Sequence, residues 1–348
     1  MEIQQTERYA IDLLRCVLMV FIVTIHTNLV VDLHLDNTSY GQAYAYLSEL
    51  LWLSNSLFFT ISGYLYFKGS TFNLDTYIDK TKRRIHSLVL PYFLWNTIIW
   101  GLYSVGAYFV PSLSNDIIKP IGSANLVDVF HVYFATYGEG LASSPINGPF
   151  WFLRNLIFLS LLTPLFYLLF RGHRFTFLVL PLVCFIPMPS APLASIIFFG
   201  LGCYVGIWSV DVMKLTSKVR YALVIYLFTL ALPYLFTIPE QYAMLLGCFK
   251  HCAAFVIALW LAEHYLAAKR YIPNTLFHKS LFFIFAFHGF VARFLTKSSA
   301  LLITKHPEIP PALLHFVNVV LSILVCILLY KTLQKLSPKL CKVLGSRA

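Results

Sequence analysis

The sequence predicts an all-α, polytopic membrane protein of about ten transmembrane helices, with both termini in the cytoplasm. Three observations carry this reading: an excess of apolar residues, a series of runs long enough to span a bilayer, and a one-sided placement of positive charge. Of the 348 residues, 59% are hydrophobic and 12% charged, and the mean hydropathy is +0.73. A soluble chain is nearer to half apolar and a quarter charged, so the solvent for this surface is lipid. Aromatic residues at 17% suit interfacial belts.

The apolar runs fall near 10–31, 47–67, 88–110, 150–170, 175–188, 191–209, 220–238, 242–266, 280–296 and 311–333. The run at 175–188 is short and interrupted by Pro181 and Pro187, with Pro189 just beyond it. With the amino terminus inside, cytoplasmic segments collect 19 of the 26 basic residues, and the outer loops hold only Lys119, Lys297 and Lys305. Such an asymmetry favours an even number of spans and this orientation. It also explains the net charge of +11 without nucleic acid, because the positives sit in short runs between apolar stretches. The first run is long and lacks a small-residue cleavage site, so it reads as a retained helix.

No repeat and no separate soluble domain is visible, which leaves a single membrane domain over 1–348. Its outer loop is expected at about 111–149, containing Pro111, Pro120, Pro145 and Pro149, and its basic cytoplasmic loop at about 68–87. Asn125 to Tyr137 within the outer loop is expected as an interfacial helix. Six of the seven cysteines lie in apolar runs and no CxxC occurs, so reduced thiols are expected and no metal site.

Four basic residues remain inside predicted spans: Arg15, Arg154, Lys250 and Arg293. A charge at the middle of a membrane helix costs roughly 2.5–3.5 kcal/mol or more, so each needs a partner or a wet cavity. The first helix is the most informative. Asp12 precedes Arg15 by three residues, which lets them pair on one face. Arg15 and His26 are eleven apart, a rotation of about 1100°, so they share one stripe with an axial separation of about 16 Å. That face presents a guanidinium toward the cytoplasm and an imidazole deep toward the outer side, although a lone intramembrane His also serves as an interhelical hydrogen-bonding group.

Other candidates have two readings each. Ser62-Gly63 either permits close helix packing or lets a ligand approach the backbone. The basic run from Lys80 to Arg84 anchors the cytoplasmic side or binds phosphates through Arg83 and Arg84. Trp151 is an interfacial anchor or, with Arg154 and Asn155, contacts a hydroxyl-rich acceptor. His288, about 12 Å into the ninth span, is structural or functional; Lys250-His251 and Arg293 are weaker candidates. No HxxxD, GxSxG, HExxH, Walker loop or helix-opening GxGxxG is present, so soluble-type acyl transfer, serine hydrolysis, zinc proteolysis and ATP-driven pumping lack support.

The order of these motifs resembles the acyltransferase-3 family of integral membrane O-acyltransferases. Asp12-Leu-Leu-Arg15 followed by His26 resembles its first helix, and Phe58-Phe59-Thr60-Ile61-Ser62-Gly63-Tyr64 its FFxxSGY signature. Lys82-Arg83-Arg84 before Pro91-Tyr92, Phe150-Trp151-Phe152-Leu153 with Pro164 downstream, Phe199-Gly200-Leu201-Gly202, and Phe285-Ala-Phe-His288 are similar to later landmarks. The likeness runs from about residue 8 to 335 and is greatest to members that acetylate surface polysaccharides. One departure is that members often carry an Arg a turn before the proline of the basic loop, where this chain has His86 and Ser87.

The resemblance implies a multi-pass enzyme of the bacterial cytoplasmic (inner) membrane. It implies transfer of an acyl group, typically acetyl, from cytoplasmic acetyl-CoA to a hydroxyl of a surface glycan or lipid-linked sugar. The expected partners are therefore acyl-CoA, the glycan acceptor and membrane lipids, with no nucleic acid and no metal. In this frame the CoA-binding residues are Arg15 (paired with Asp12), Arg83, Arg84 and Ser62, and the pantetheine arm spans a distance like that from Arg15 to His26. His26 is the expected catalytic general base, an acetyl-His intermediate being the other route. Asp12 is about 21 Å from His26 along the axis, too far to orient it. Trp151, Arg154, Asn155 and His288 are the expected acceptor-binding residues. A polysaccharide exporter or flippase is the second functional class these residues would serve, since a buried Arg and a proton-relay His suit transport too.

Overall fold

A computed structural model describes residues 2–69, 71–109, 118–138, 143–186, 188–268 and 275–345. Pro111, Pro187, Lys269, Arg270 and Arg347 lie outside the described residues. The chain is helical throughout, with one isolated antiparallel bridge, Tyr137 to Ser144, among the described residues. In chain order the helices are α1 Glu2–His26, α2 Val30–Leu33, α3 Ser39–Leu51, α4 Leu53–Phe67, α5 Leu74–Arg84, α6 Leu90–Phe109 and α7 Leu126–Phe134. There follow α8 Trp151–Leu161, α9 Thr163–Phe170, α10 Val179–Val183, α11 Ser190–Ile207 and α12 Val219–Leu235. The last four are α13 Glu240–Ala267, α14 Leu276–Lys305, α15 Pro311–Leu336 and α16 Pro338–Val343.

Among the described residues, seven segments are long and apolar enough to cross a membrane, and eight if α8 and α9, bent by 57°, form one span. The ten expected runs therefore divide by helix length. Seven of them coincide with these segments. The run at 47–67 falls across two helices, and the second, α4, has 15 residues. At 1.5 Å per residue that is about 22 Å, short of a hydrocarbon core of about 30 Å. The run at 175–188 yields only a short apolar helix ending at Val183.

Proline accounts for two irregularities. The break between α8 and α9 sits at Pro164, which has no N–H to give the Ser160 carbonyl; the Thr163 hydroxyl donates to that carbonyl instead, at 2.8 Å. The basic segment, expected as a loop, is the helix α5, and it runs through a π-helical turn at Ile85–Val89 into α6. Pro91 supplies the reason, since an interior proline breaks the i to i−4 ladder and a wider turn absorbs the misfit.

The chain divides into two compact units. One comprises Met1–Leu18, Trp52–Asp79 and Phe158–His278; the other comprises Met19–Leu51, Lys80–Ile157 and Lys279–Ala348. In the first, α4 and α11 approach backbone to backbone. A Cβ on Gly63 would come within 2.2 Å of the Phe199 carbonyl, and one on Gly202 within 2.1 Å of the Thr60 carbonyl. Gly63 thus serves close helix packing, the first of its two readings. At the end of α4, the Glu7 carboxylate receives both the Tyr64 hydroxyl and the Lys68 ammonium. His251 bonds Ser56 Oγ at 2.7 Å through Nδ1 and packs on Phe198, which makes it an interhelical tie.

In the second unit, the outer segment folds onto α6 and α14. A helix is present in the expected stretch as α7, one turn shorter at its end. Asn125 caps it, accepting from Val127 and Asp128 N–H groups, while Asp128 answers to the Asn125 N–H. Val132 is buried with Ile99, Trp100, Ile118 and Ile146, and Tyr103, Tyr137 and Phe290 flank that cluster. No disulfide joins the cysteines among the described residues, and the Cys184 and Cys248 sulfurs are 3.6 Å apart.

The glycine contact yields a stability test. Replacing Gly202 by Val forces α4 and α11 apart, and overpacking of this kind costs about 1–3 kcal/mol or more. A clear fall in the melting temperature of the detergent-solubilised protein is expected, and an unchanged melt would remove the close backbone approach.

Candidate functional site

His26 ends α1, and its placement depends on the turn just after it. The Asn28 side chain donates to the Ile25 carbonyl at 2.7 Å and accepts from the Val30 N–H, so the chain enters α2 directly beyond the imidazole. Below the turn, His315 on α15 bonds the Thr24 carbonyl through Nε2 at 3.0 Å, which puts a hydrogen on that nitrogen. Its Nδ1 is then the acceptor for the Tyr40 hydroxyl, also at 3.0 Å. The end of α1 is therefore held by side chains from α3 and α15.

The second imidazole is His288 on α14. It is fully buried, and its ring centroid lies 5.1 Å from that of His26, with the planes inclined at 58°. His288 Nδ1 sits 2.9 Å from both the Ile284 and the Phe285 carbonyl oxygens. Carbonyls only accept, so Nδ1 carries the hydrogen and Nε2 keeps a bare lone pair. That Nε2 is buried without a hydrogen-bond partner among the described residues. A buried acceptor left unmade costs about 1–3 kcal/mol, which is unusual in a folded protein.

His26 is exposed into a cavity of about 370 Å³, which it lines together with Asn28, Asp32, Tyr103, Tyr137, Asn147 and Arg293. This falls in the range for small-ligand sites. One wall is set by Asn147, whose N–H bonds the Asn96 side chain on α6 at 3.1 Å while its amide nitrogen donates to the Ala286 carbonyl on α14 at 2.8 Å. Pro149 rests against Gly289, where an added Cβ would meet Pro149 Cγ at 3.0 Å. The loop leading into α8 thereby reaches α14 next to His288.

The remaining sequence candidates lie elsewhere. Arg154 is committed to the outer segment: Nη1 donates to the Phe134 carbonyl at 2.7 Å and to Ser143 Oγ at 3.2 Å, and Nη2 to the Ser143 carbonyl at 2.7 Å. Neither it nor Trp151 nor Asn155 lines the cavity. Arg15 pairs loosely with Asp12, at 3.9 Å, as their spacing suggested. Arg83 is exposed in the last turn of α5, beside Arg84. Ser62 is half-buried on α4. Sequence reasoning missed Asn147, Tyr103 and Tyr137 and gave Arg293 little weight. Asn147-Gly148-Pro149 was a visible turn signal, but nothing in it marked the amide as a cavity wall.

Tyr137, which lines the cavity, depends on the fold of the outer segment. There the Asn125 N–H and the Lys119 ammonium hold the Asp128 carboxyl below the usual carboxylate range. A lowered pKa means that this contribution is fully present above the unfolded value near pH 3.9 and is lost as pH falls through the folded one. Limited proteolysis should therefore find the segment resistant at neutral pH and cleavable in strong acid. Asp128→Asn should be cleavable at neutral pH; equal resistance of the two proteins would sever this link.

Comparison with known proteins agrees with the membrane-helical architecture. The model of a family described as an acyltransferase domain matches residues 8–331. The succinoglycan biosynthesis protein ExoH of Rhizobium meliloti (strain 1021) is 28% identical over 162 residues, 44% of this chain and 41% of that protein. The matched stretch thus spans less than half the length of that relative. No solved structure matches the chain.

Proposed function

Because the chain belongs to the acyltransferase-3 family, whose model covers nearly its whole length, we propose that it is a bacterial inner-membrane O-acyltransferase acting on a surface polysaccharide or its lipid-linked precursor. The donor in this reading is acetyl-CoA from the cytoplasm. The polysaccharide acceptor is supported by the succinoglycan-biosynthesis relative. The single observation that carries the chemistry is an imidazole, His26, exposed to a cavity with a second imidazole at its back whose Nε2 lacks a partner among the described residues.

Neutral His26 accepts the proton of the acceptor hydroxyl as that oxygen attacks the thioester carbonyl. The new C–O bond forms, the C–S bond breaks, and the CoA thiolate leaves with the proton that His26 gives up. Histidine is suited to both transfers because its ordinary pKa lies near neutrality. His288 is a positioning residue here. With its hydrogen fixed on Nδ1, its bare Nε2 favours a His26 tautomer that turns N–H toward it, leaving the other His26 nitrogen to act as base. The two rings are not hydrogen-bonded to each other in the structure, and the proposed mechanism requires His26 to make this contact during the reaction.

The donor end of the reading rests on cations. Arg15, paired with Asp12, and Arg83 with Arg84 supply charge for CoA phosphates, and Ser62 a hydroxyl. Trp151 and Asn155 remain acceptor candidates from the motif alone. Arg154 has three bonds to the outer segment, which favours a supporting role for it.

The test is transfer of a radiolabelled acetyl group from acetyl-CoA to glycan by the purified protein. General-base catalysis contributes about 10²–10⁴-fold, so His26→Ala should lower kcat by that order while insertion and melting stay intact. His288→Gln should lower kcat less and move the apparent pKa of the pH–rate profile. Undiminished transfer by His26→Ala would remove the proposed base.

A further inference from the structure

We propose that Arg293 makes this cavity a site for an acidic acceptor, binding a carboxylate or phosphate that the glycan carries near its reacting hydroxyl. The inference rests on the acyl-transfer reading of the cavity and adds the chemical class of the acceptor. Arg293 lies five residues beyond His288 on α14, about 7.5 Å along the axis. Its Nη1 donates to the Tyr137 hydroxyl at 2.9 Å and to the Tyr103 hydroxyl at 3.3 Å. Both Nη1 hydrogens are used in this way, whereas Nε and Nη2 have no partner among the described residues.

The two phenols fix where the guanidinium sits but bring no counter-charge. They come from different elements, Tyr103 from α6 and Tyr137 from the outer segment, so the position is built by the fold rather than by one helix. Asp32 lines the same cavity, and among the described residues no ion pair joins it to Arg293. A cation on an apolar helix needs a partner or a wet cavity; Arg293 is exposed to the cavity, and the protein gives it hydrogen bonds without a counter-charge. The open edge of a guanidinium matches a carboxylate or phosphate in fork geometry. Asp32 in turn accepts hydroxyls and repels a second acid. A ligand satisfying both groups has one anionic group and several hydroxyls, which describes an acidic sugar or a glycosyl phosphate.

The experiment compares three probes on the full-length protein: a glucuronate-bearing disaccharide, its methyl ester, and a glycosyl phosphate. Binding is read by ligand-observed NMR, and transfer from radiolabelled acetyl-CoA is measured in parallel. A charge-assisted pair is worth about ten- to a hundredfold. An anionic probe should bind tighter than the ester by that factor, and the preference should collapse toward one in Arg293→Gln and survive in part in Arg293→Lys. A preference for the glucuronate identifies an acidic sugar, and one for the phosphate a lipid-phosphate-linked sugar. Equal binding of all three probes by the wild-type protein overturns the inference without needing any variant, as does a preference retained in Arg293→Gln. Anion-selective binding without acetyl transfer would sustain the anion site while removing the enzymatic reading.

Discussion

A polar group carried into a lipid-solvated helix bundle has no water to fall back on, and this constraint sorts the residues of this protein. Most buried polar groups here are answered within the fold. Arg154 is taken up by two carbonyls and a hydroxyl of the outer segment, Glu7 by a phenol and an ammonium, and His251 by Ser56. His315 uses both ring nitrogens. Such groups hold helices together, and their chemistry is spent on doing so.

Two groups around the cavity are not answered among the described residues: the Nε2 of His288 has no hydrogen-bond partner, and Arg293 has no negative charge beside it. The first adjoins His26, whose N–H fills it in the proposed reaction, and the second shares the His26 cavity, where an anionic ligand fills it. Incomplete satisfaction is not by itself a mark of function. Asn318 Nδ2, Ser322 Oγ and Tyr330 Oη on α15 are also buried without partners among the described residues, and none of these residues lines the cavity. What distinguishes the His288–Arg293 stretch is the convergence of α1, α6, α14 and the outer segment on one space.

That convergence relies on backbone details. The turn after His26 is closed by Asn28, the loop before α8 is fastened by Asn147 to two helices, and Gly289 leaves room for Pro149. The outer segment adds Tyr137 only because α7 is capped and its Val132 is buried against α6. A wall of the cavity is thus assembled from local turn chemistry and a small apolar core, which is how a loop attains the precision of a helix.

The sequence by itself determined that the chain is helical and lipid-solvated, that α1 carries a cation and an imidazole at helical spacing, and that a helix interrupts the outer segment. Each of these is a property of neighbours along the chain: hydropathy, periodicity and a capping pattern. It did not show where a proline or a short break ends a helix, as at Pro164 and between α3 and α4, so its ten apolar runs correspond to seven or eight helical segments of spanning length among the described residues. Only the tertiary structure decided that His26 meets His288, that Arg154 is consumed by the loop, and that Arg293 is not. Those outcomes depend on which groups from distant positions arrive within hydrogen-bonding reach, and a list of residue types carries no such information.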